Sequence, residues 1–339
     1  MGATISTTQF YFYGRRHFTQ TGYVKHKAKY NSSVQDSPSI KAGQEGADGI
    51  DLSNKVVCIT GANSGIGKTL ATYAAAKGAK LYMFCRSKDR AEAARKEIED
   101  ETSSTNIEIV LMDLAEMESI KEAIKGFQKK EKKVDILVCN GGVLLNDKKM
   151  SSEGNEMTFA SHLLGGTYLL SQLLLPQLKA ADEGKIVIVS SGGMYNSPFP
   201  DWATATSSEG ASHDYNGNLA YSYAKRGQVL LAEQYTKMYP EITTVTCHPG
   251  WTATPAVDDA YGDNKKYLEP MRTMWEGAEG IAWLMGAKKD EIESGAFYLD
   301  RKPQRKHLSG PFFTEGSYTK NSQAEVDEMM ANLKKAAGL

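Results

Sequence analysis

The stretch that decides the fold is residues 55–67, Lys55-Val-Val-Cys-Ile-Thr60-Gly61-Ala-Asn-Ser-Gly65-Ile-Gly67. Its first half, Lys55–Thr60, is a short β-branched run that predicts a strand. Three glycines follow, and after them the Ala-rich segment Ile66–Lys77 has a helical pattern. Glycines in such a turn let the backbone approach a pyrophosphate, which the N–H groups and dipole of the helix start attract. Any tight strand-to-helix turn also needs glycines for steric reasons, so the turn indicates a dinucleotide site only in the right context.

The alternation of predicted strands and helices continues along the chain. The predicted strands are Lys55–Thr60, Lys80–Cys85, Ile107–Met112, Val134–Cys139, Lys185–Ser190, Thr243–Thr246 and Ala296–Leu299. The predicted helices are Ile66–Lys77, Asp89–Glu101, Met117–Lys129, Gly154–Leu178, Ala220–Met238 and Glu276–Gly286. Continuously apolar strands separated by helices are typical of a parallel sheet covered on both faces. With right-handed crossovers this predicts a doubly wound, Rossmann-type α/β fold.

No internal repeat is present, so we predict a single domain over residues 55–300 with an extension at each end. The N-terminal extension is 1–54, and the C-terminal extension is 301–339. The composition fits a globular protein, because 41% of residues are hydrophobic and 24% are charged. The formal net charge is −1, which gives no reason to expect nucleic-acid binding.

The end of the second predicted strand indicates which dinucleotide is bound. An acidic residue there would bind the adenosine 2′-hydroxyl of NAD, but the strand ends in Cys85-Arg86. An arginine accommodates a 2′-phosphate, so the sequence favours NADP(H) over NAD(H). Asp113, just after the third strand, is a candidate partner of the adenine amino group and equally a candidate helix N-cap.

A candidate catalytic group lies further along the chain. The fifth strand ends in Ser190-Ser191, and Tyr221 and Lys225 follow at i and i+4 of a predicted helix, on one helical face. A free phenol titrates near pH 10 and is a poor base at neutral pH. An ammonium about 4 Å away contributes roughly 4 kcal/mol at an effective dielectric of 20, or about three pKa units. We therefore expect Lys225 to lower the pKa of Tyr221 towards the range useful for general acid/base catalysis, as would the positive charge of an oxidised nicotinamide.

The glycine turn, the strand-ending serine and the Tyr-x-x-x-Lys pattern, in this order, resemble the classical short-chain dehydrogenases/reductases over roughly residues 55–300. Cys139–Gly142 stands at the site of the family's Asn-Asn-Ala-Gly segment, and Cys247–Gly250 at its Pro-Gly segment. Further matches to one branch of the family are residues 12–23, 190–194, 248–251 and 300–303.

The resemblance implies a role for each matching residue. Ser191 orients the substrate, Tyr221 transfers the proton, and Lys225 binds the ribose hydroxyls. Thr254 contacts the nicotinamide carboxamide. The implied cofactor-binding residues are Gly61, Asn63, Ser64, Gly65, Ile66, Gly67, Arg86, Asp113, Leu114, Asn140, Gly141, Tyr221, Lys225, Pro249, Gly250 and Thr254.

One departure from the family concerns the proton relay. The family's catalytic Asn, in the helix after the fourth strand, falls near His162, and no Asn is available there even if the alignment slips by one residue. Either His162 reroutes the relay, or it is a polar residue of a mostly buried helix.

Three functions are compatible with these observations. The first is an NADP(H)-dependent oxidoreductase acting on a carbonyl or secondary alcohol, and the second is a cofactor-binding sensor or scaffold with little turnover. The third, a nucleotide-sugar epimerase on the same fold, is disfavoured by the spacing of the glycine turn.

Two long loops are candidates for substrate contacts. Met194–Leu219 contributes Tyr195, Phe199 and Trp202, and Thr252–Met274 contributes Tyr261, Tyr267 and Met271. Their aromatic content favours an apolar, lipid-like or retinoid-like carbonyl compound, although ordinary loop packing would need the same residues.

The two ends of the chain suggest further interactions. Met1–Ser6 matches the pattern for myristoylation at Gly2, and residues 1–35 contain basic residues but no acidic ones, as in weak membrane association. Chance occurrence and docking of the basic residues on the body explain the pattern equally well. At the other end, Gln323–Lys335 is predicted to be an amphipathic helix that covers the core or a partner subunit, as in a homo-oligomer.

The compartment follows from the cysteines and from hydropathy. The four cysteines are widely spaced, with no Cys/His cluster, so we expect buried free thiols, no metal site and a reducing, cytoplasmic location. No apolar stretch approaches the roughly 20 residues of a membrane-spanning helix.

Overall fold

A computed structural model describes residues 2–30, 50–206, 215–308 and 318–339, without the side chains of residues 2–5 and 259. Within these residues, eight strands form one sheet in the order β3-β2-β1-β4-β5-β6-β7-β8. The strands are β1 Val56–Thr60, β2 Lys80–Cys85, β3 Ile107–Leu111, β4 Ile136–Cys139, β5 Lys185–Val189, β6 Thr243–Cys247, β7 Phe297–Leu299 and β8 Lys302–Gln304. All neighbouring strands are parallel except β8, which pairs antiparallel with β7.

Helices cover both faces of the sheet. They are α1 Gly2–His17, α2 Gln20–Lys27, α3 Gly65–Ala76, α4 Lys88–Thr102, α5 Met117–Lys130, α6 Met157–Phe159, α7 Leu170–Lys179, α8 Trp202–Thr206, α9 Gly217–Met238, α10 Pro255–Tyr261, α11 Met274–Gly286 and α12 Gln323–Ala337. One buried cluster joins the sheet to α5, α7, α9 and α12, and a second joins its other face to α3, α4 and α11. The doubly wound, single-domain prediction is therefore confirmed.

The strand order reverses between β1 and β4. Helices that follow β1 and β4 therefore leave the sheet on opposite sides and open a crevice at the carboxyl ends of these strands. In open α/β sheets this switch point is where ligands bind. The topology thus places Gly61 and Asn140, which directly follow the two strands, at one edge of the sheet.

The helix predicted over Gly154–Leu178 begins later and is not uniform. Between α6 and α7, Ala160–Leu169 is a π-helix, in which the Leu170 N–H bonds to the Gly165 carbonyl five residues earlier. All ten residues of this π segment are buried. Such wider turns occur frequently at functional sites, and this one carries His162.

The N-terminal extension contains two helices that the sequence did not predict. Helices α1 and α2 form a hairpin on the body of the protein, and Phe18 between them is fully buried. The aromatic segment of residues 10–18 therefore packs on the domain through Phe10, Tyr13 and Phe18. Residues 31–49 of the extension lie outside the described residues.

The C-terminal helix covers the core of its own chain. Val326, Met329 and Leu333 are buried on the face of α12 that joins the first cluster. At the start of this helix, Ser322 and Glu325 form a capping box, in which each side chain accepts a hydrogen bond from the backbone N–H of the other residue.

Two further expectations concern thiols and membrane spans. All four cysteines are buried and free, as predicted. In the part of the chain that the structure describes, no helix has the length and hydropathy of a membrane span.

Candidate active site

A cavity of about 350 Å³ lies at the carboxyl edge of the sheet, over the switch point. It is lined by predicted site residues from five separate segments of the chain. These are Gly61, Ser64, Gly65, Ile66, Gly67, Asn140, Gly141, Ser191, Tyr221, Lys225, Pro249, Gly250 and Thr254. The four predicted residues outside this lining are Asn63, Arg86, Asp113 and Leu114. The structure therefore brings most of the sequence-predicted site together around one space.

The glycine turn shapes one end of the cavity. Gly61 adopts φ +65°, a left-handed conformation that glycine tolerates without strain. A Cβ on Gly67 would lie 2.2 Å from the Gly61 carbonyl oxygen, so only glycine allows α3 to start this close to β1. The Ser64 side chain at the N-cap makes no capping bond among the described residues. The positive end of α3 is thus directed at the cavity, where it suits a phosphate.

Thr60 and Asn140 fix the ends of β1 and β4 to each other. Thr60 Oγ1 accepts from the backbone N–H of Asn140 at 2.9 Å and of Gly141 at 2.7 Å. The Asn140 side-chain Nδ2 donates to the Thr60 carbonyl oxygen at 3.0 Å. Asn140 therefore holds the two strand ends in a fixed relation beneath the cavity. This contact gives Asn140 a structural role at the site that does not require a direct bond to a ligand.

Arg86 and Asp113 lie side by side at the ends of β2 and β3. An Arg86 guanidinium nitrogen lies 3.5 Å from an Asp113 carboxylate oxygen, and the Arg86 side chain is 59% exposed. The other Asp113 oxygen accepts from the Ala115 N–H at 3.0 Å. The N-cap of α5 is Glu116 rather than Asp113, so the N-cap interpretation of Asp113 was wrong. Arg86 is available to an anion, whereas Asp113 orders the turn after β3.

Ser191, Tyr221 and Lys225 line the same cavity. Lys225 is buried, its Nζ lies 5.3 Å from the centroid of the Tyr221 ring, and it donates to the Val189 carbonyl oxygen at 2.8 Å. Ser191 Oγ accepts from the Gly193 N–H at 3.1 Å, which leaves the serine O–H to donate elsewhere. The two side chains that the helical spacing predicted to share a face do face each other.

The ionisation of Tyr221 and Lys225 differs from what the sequence predicted. Burial raises the pKa of Tyr221 to about 12, against an opposing interaction with the Ser191 side chain. Burial also lowers the pKa of Lys225 to about 7. The predicted lowering of the Tyr221 pKa by Lys225 is therefore wrong for the protein groups alone. Removal from water favours the neutral form of a lysine. Lys225 therefore loses part of the positive charge that was expected to stabilise the Tyr221 phenolate.

His162 lies against Tyr221. Its ring centroid is 5.2 Å from that of Tyr221, at an interplanar angle of 86°, and its Nε2 lies 2.7 Å from the Val143 carbonyl oxygen. Burial and the charge of Lys225 hold the pKa of His162 well below its usual range, so the imidazole is neutral. Its Nδ1 is buried with no hydrogen-bond partner among the described residues. A Cβ on Gly142 would lie 1.8 Å from the His162 ring, so this glycine makes room for the histidine.

The six aromatic or apolar residues predicted to contact substrate separate into two groups. Tyr261 and Met271 line the cavity. Tyr195 and Phe199 are buried in the core instead, Trp202 packs edge-on against Phe159, and Tyr267 is 55% exposed. For Tyr195, Phe199 and Trp202, ordinary loop packing was the better interpretation, whereas Tyr267 is largely exposed and does not line the cavity. Residues 207–214 of the first loop lie outside the described residues.

Several lining residues were not predicted as site residues. The apolar ones are Phe10, Val143, Leu144, Val189, Trp251, Pro255, Ala256, Val257 and Leu268. Trp251 directly follows the predicted Pro249-Gly250 segment, so its place in the sequence was the available signal. Phe10 carried no such signal, because it lies just outside the matching residues 12–23 and far along the chain from the predicted site residues. No group of three or more metal-ligating side chains is assembled within the described ranges.

Comparison with known proteins gives the family. The short chain dehydrogenase family model matches residues 55–265. Dehydrogenase/reductase SDR family member 12 of Homo sapiens is 32% identical over 290 residues, which are 85% of this chain and 88% of that protein. Retinol dehydrogenase 12 of Bos taurus is 32% identical over 276 residues, 78% of this chain and 85% of that protein.

A solved structure agrees at the level of the fold. A short-chain dehydrogenase of Escherichia coli CFT073, crystallised with NADPH, superposes with a TM-score of 0.58 at 19% identity, over 79% of this chain and all of that one. The matched region contains the glycine turn, the strand-ending serine and the Tyr221–Lys225 pair described above. The chain therefore belongs to the short-chain dehydrogenase family and is an oxidoreductase of that family.

Proposed function

We propose that this protein reduces an apolar carbonyl compound, or oxidises the corresponding secondary alcohol, with NADP(H) as cofactor and Tyr221 as general acid/base. The observation that carries the proposal is the grouping of Ser191, Tyr221 and Lys225 in one cavity with the glycine turn. The cavity combines a phosphate-attracting helix start with a proton donor, which are the two requirements of hydride transfer to a carbonyl.

The residues present fit this cofactor. The start of α3 and the residues of the glycine turn would hold the pyrophosphate, and the exposed Arg86 would pair with a 2′-phosphate. Pro249, Gly250 and Thr254 line the cavity where the nicotinamide would lie. NADPH, when bound, supplies the hydride. A related structure was solved with NADPH, which agrees with the preference that Arg86 indicates.

The roles of the chain's own residues in carbonyl reduction follow from their contacts. Tyr221 carries its proton at neutral pH because its pKa lies near 12, so it is ready to protonate the carbonyl oxygen. Ser191, whose Oγ accepts from Gly193, directs its O–H to the same oxygen and stabilises the charge that develops there. Lys225, fixed by its bond to Val189, has two further N–H donors for the ribose hydroxyls in its protonated form.

The substrate side of the cavity supports an apolar compound. Trp251, Tyr261, Leu268 and Met271 line it, and a related protein is named for retinol, an apolar alcohol. Apolar walls with a few polar groups at the reacting centre are typical of sites that bind such ligands.

The decisive experiment is titration with NADPH and NADH, followed by a panel of carbonyl compounds with wild type and Tyr221→Phe. We expect tighter binding of NADPH and loss of nearly all turnover in the variant, because phenylalanine has no proton to give. The variant should still bind NADPH as wild type does, since phenylalanine preserves the ring. Equal turnover by both proteins would contradict the mechanism.

A cofactor-binding sensor or scaffold remains the second candidate, and one observation favours it. His162 stands where the family has a catalytic Asn, and its neutral ring packs against Tyr221. NADPH binding without reduction of any carbonyl on the panel would favour this alternative.

We also propose that an acyl chain on Gly2 gives the protein weak affinity for membranes. Helix α1 begins at Gly2, and Arg15, Arg16, Lys25 and Lys29 are exposed on the hairpin, as a second, electrostatic signal requires. Mass spectrometry of the native N-terminus tests this, and an unmodified Gly2 would exclude it.

A further inference from the structure

We infer that the α1–α2 hairpin is part of the active site, and that Phe10 on α1 determines which carbonyl compounds the cavity accepts. The inference rests on the proposed function and deepens it, because it assigns a specificity role to a segment outside residues 55–265, the range that the family model matches. Three independent groups of contacts support it.

The first is the packing of the hairpin against the catalytic loop. Gly192 directly follows Ser191, and a Cβ there would lie 2.8 Å from Phe18 and 3.2 Å from Phe10. Phe18 also packs edge-on against His248, with ring centroids 4.3 Å apart. Gly192 therefore has no side chain, and the rings of Phe18 and Phe10 occupy the space that a side chain at this position would need.

The second is a buried polar anchor. Arg272 is fully buried and forms two bonds to the Asp300 carboxylate, at 2.5 and 2.7 Å. It also donates to the carbonyl oxygens of His17 and Phe18, at 2.8 and 2.9 Å. His26 on α2 contacts the same carboxylate at 2.8 Å. One buried ion pair thus ties both helices to the loop that carries Met271.

The third is the position of Phe10 itself. It lines the cavity, and its ring lies 6.3 Å from that of Trp251, at an angle of 73°. Gly14, one helical turn further on, fits against the Trp251 ring, from which a Cβ would be 2.4 Å away. Helix α1 therefore packs against Trp251 and contributes Phe10 to the lining of the cavity.

This arrangement has a consequence for substrate choice. The cavity is lined by the glycine turn and by Phe10, Trp251 and Met271, and Phe10 lies against Gly192, the residue after Ser191. A phenylalanine ring there limits the bulk of the group attached to the carbonyl carbon. A smaller side chain should admit bulkier substrates, and a larger one should exclude them.

The test compares Phe10→Ala, Phe10→Trp and Phe12→Ala. Phe12 is a matched control, because it lies on the same helix but is 68% exposed. Each protein is assayed with NADPH and a series from acetophenone to bulkier aryl ketones. For Phe10→Ala we expect the ratio of kcat/KM between the bulkiest and smallest ketone to rise about tenfold or more. Phe10→Trp should lower that ratio, and Phe12→Ala should leave it unchanged.

A binding measurement separates this inference from the proposed function. The affinity of each NADPH-bound protein for the apolar fluorophore 1-anilinonaphthalene-8-sulfonate is measured alongside the assays. If wild type reduces none of the ketones, the proposed function fails. In that case, a fluorophore affinity that is altered in Phe10→Ala but not in Phe12→Ala would still support a role of Phe10 in lining the substrate cavity. Identical ketone ratios and identical fluorophore affinities in the Phe10 and Phe12 variants would overturn the inference.

Discussion

The ionisation of Tyr221 and Lys225 shows how burial opposes charge–charge attraction at the residue scale. The helical spacing correctly places the ammonium beside the phenol, but the same burial that excludes water from the pair disfavours both charged forms. The protein alone therefore holds a neutral phenol beside a lysine that is partly neutral at pH 7. A neutral phenol is the form required to protonate a carbonyl oxygen.

This ionisation gives a prediction for Tyr221. In protein labelled at the tyrosine Cζ carbon, NMR titration should give Tyr221 a pKa near 12. Addition of NADP⁺ should lower this pKa, because a positive nicotinamide charge favours the phenolate. The spectrum of Tyr221→Phe assigns the resonance. A pKa below 10 in the protein alone would contradict the dominance of burial.

A second prediction at this scale concerns Arg86. Arg86→Asp should weaken NADPH binding at least about tenfold and leave NADH binding equal or tighter, since a hydrogen bond to a charged group contributes about 1.5–3 kcal/mol. Fluorescence titration with both cofactors measures the change. Lys96→Asp makes the same charge change at an exposed position of α4 and should alter neither affinity. Equal losses in both variants would indicate a general electrostatic effect.

At the scale of elements, local hydrophobic pattern predicted most of the sheet and its helices. The predicted strand Lys80–Cys85 matches β2 residue for residue, and most other boundaries differ by one or two residues. The π segment at Ala160–Leu169 was not predictable, because apolar residues there face inwards on all sides and leave no period to read.

The hairpin was missed for a different physical reason. Its stability comes from contacts with residues far along the chain, such as the Ser6 hydroxyl with the Tyr195 carbonyl oxygen and Arg272 with Phe18. A local pattern carries no information about such partners. The same limit explains why Ser191, Tyr221 and Lys225 were found through their motifs, whereas Phe10 was not.

The packing of the hairpin predicts a stability difference within one segment. Phe18→Ala should lower the free energy of unfolding by about 3–5 kcal/mol, because it empties a fully buried aromatic site. Phe12→Ala, at a position that is 68% exposed, should change it by less than about 0.5 kcal/mol. Urea denaturation followed by circular dichroism gives both values. Similar losses in the two variants would show that the hairpin is not packed as described.

For the whole molecule, buried histidines predict how stability depends on pH. Burial lowers the pKa of His17 and His307 to about 4 and that of His248 to about 3. In an unfolded chain these groups titrate near 6.5. Their neutral forms therefore stabilise the fold fully above about pH 6.5, and this contribution is lost as the pH falls towards 4.

The thermal midpoint should accordingly decrease between pH 7 and 4.5. His307→Gln removes one of these groups at a position away from the cavity, so its midpoint should decrease less over the same interval. Differential scanning fluorimetry at a series of pH values compares the two proteins. A wild-type midpoint that stays constant over this interval would contradict the prediction.

The hairpin also sets the order in which the chain can assemble during synthesis. Helices α1 and α2 leave the ribosome well before Gly192, Trp251, Arg272 and Asp300, on which they pack. Until then the aromatic segment of residues 10–18 has no surface of its own chain to cover it. The hairpin therefore cannot dock fully until Asp300 has been made, and a nascent chain released before that point would expose an apolar segment prone to aggregation.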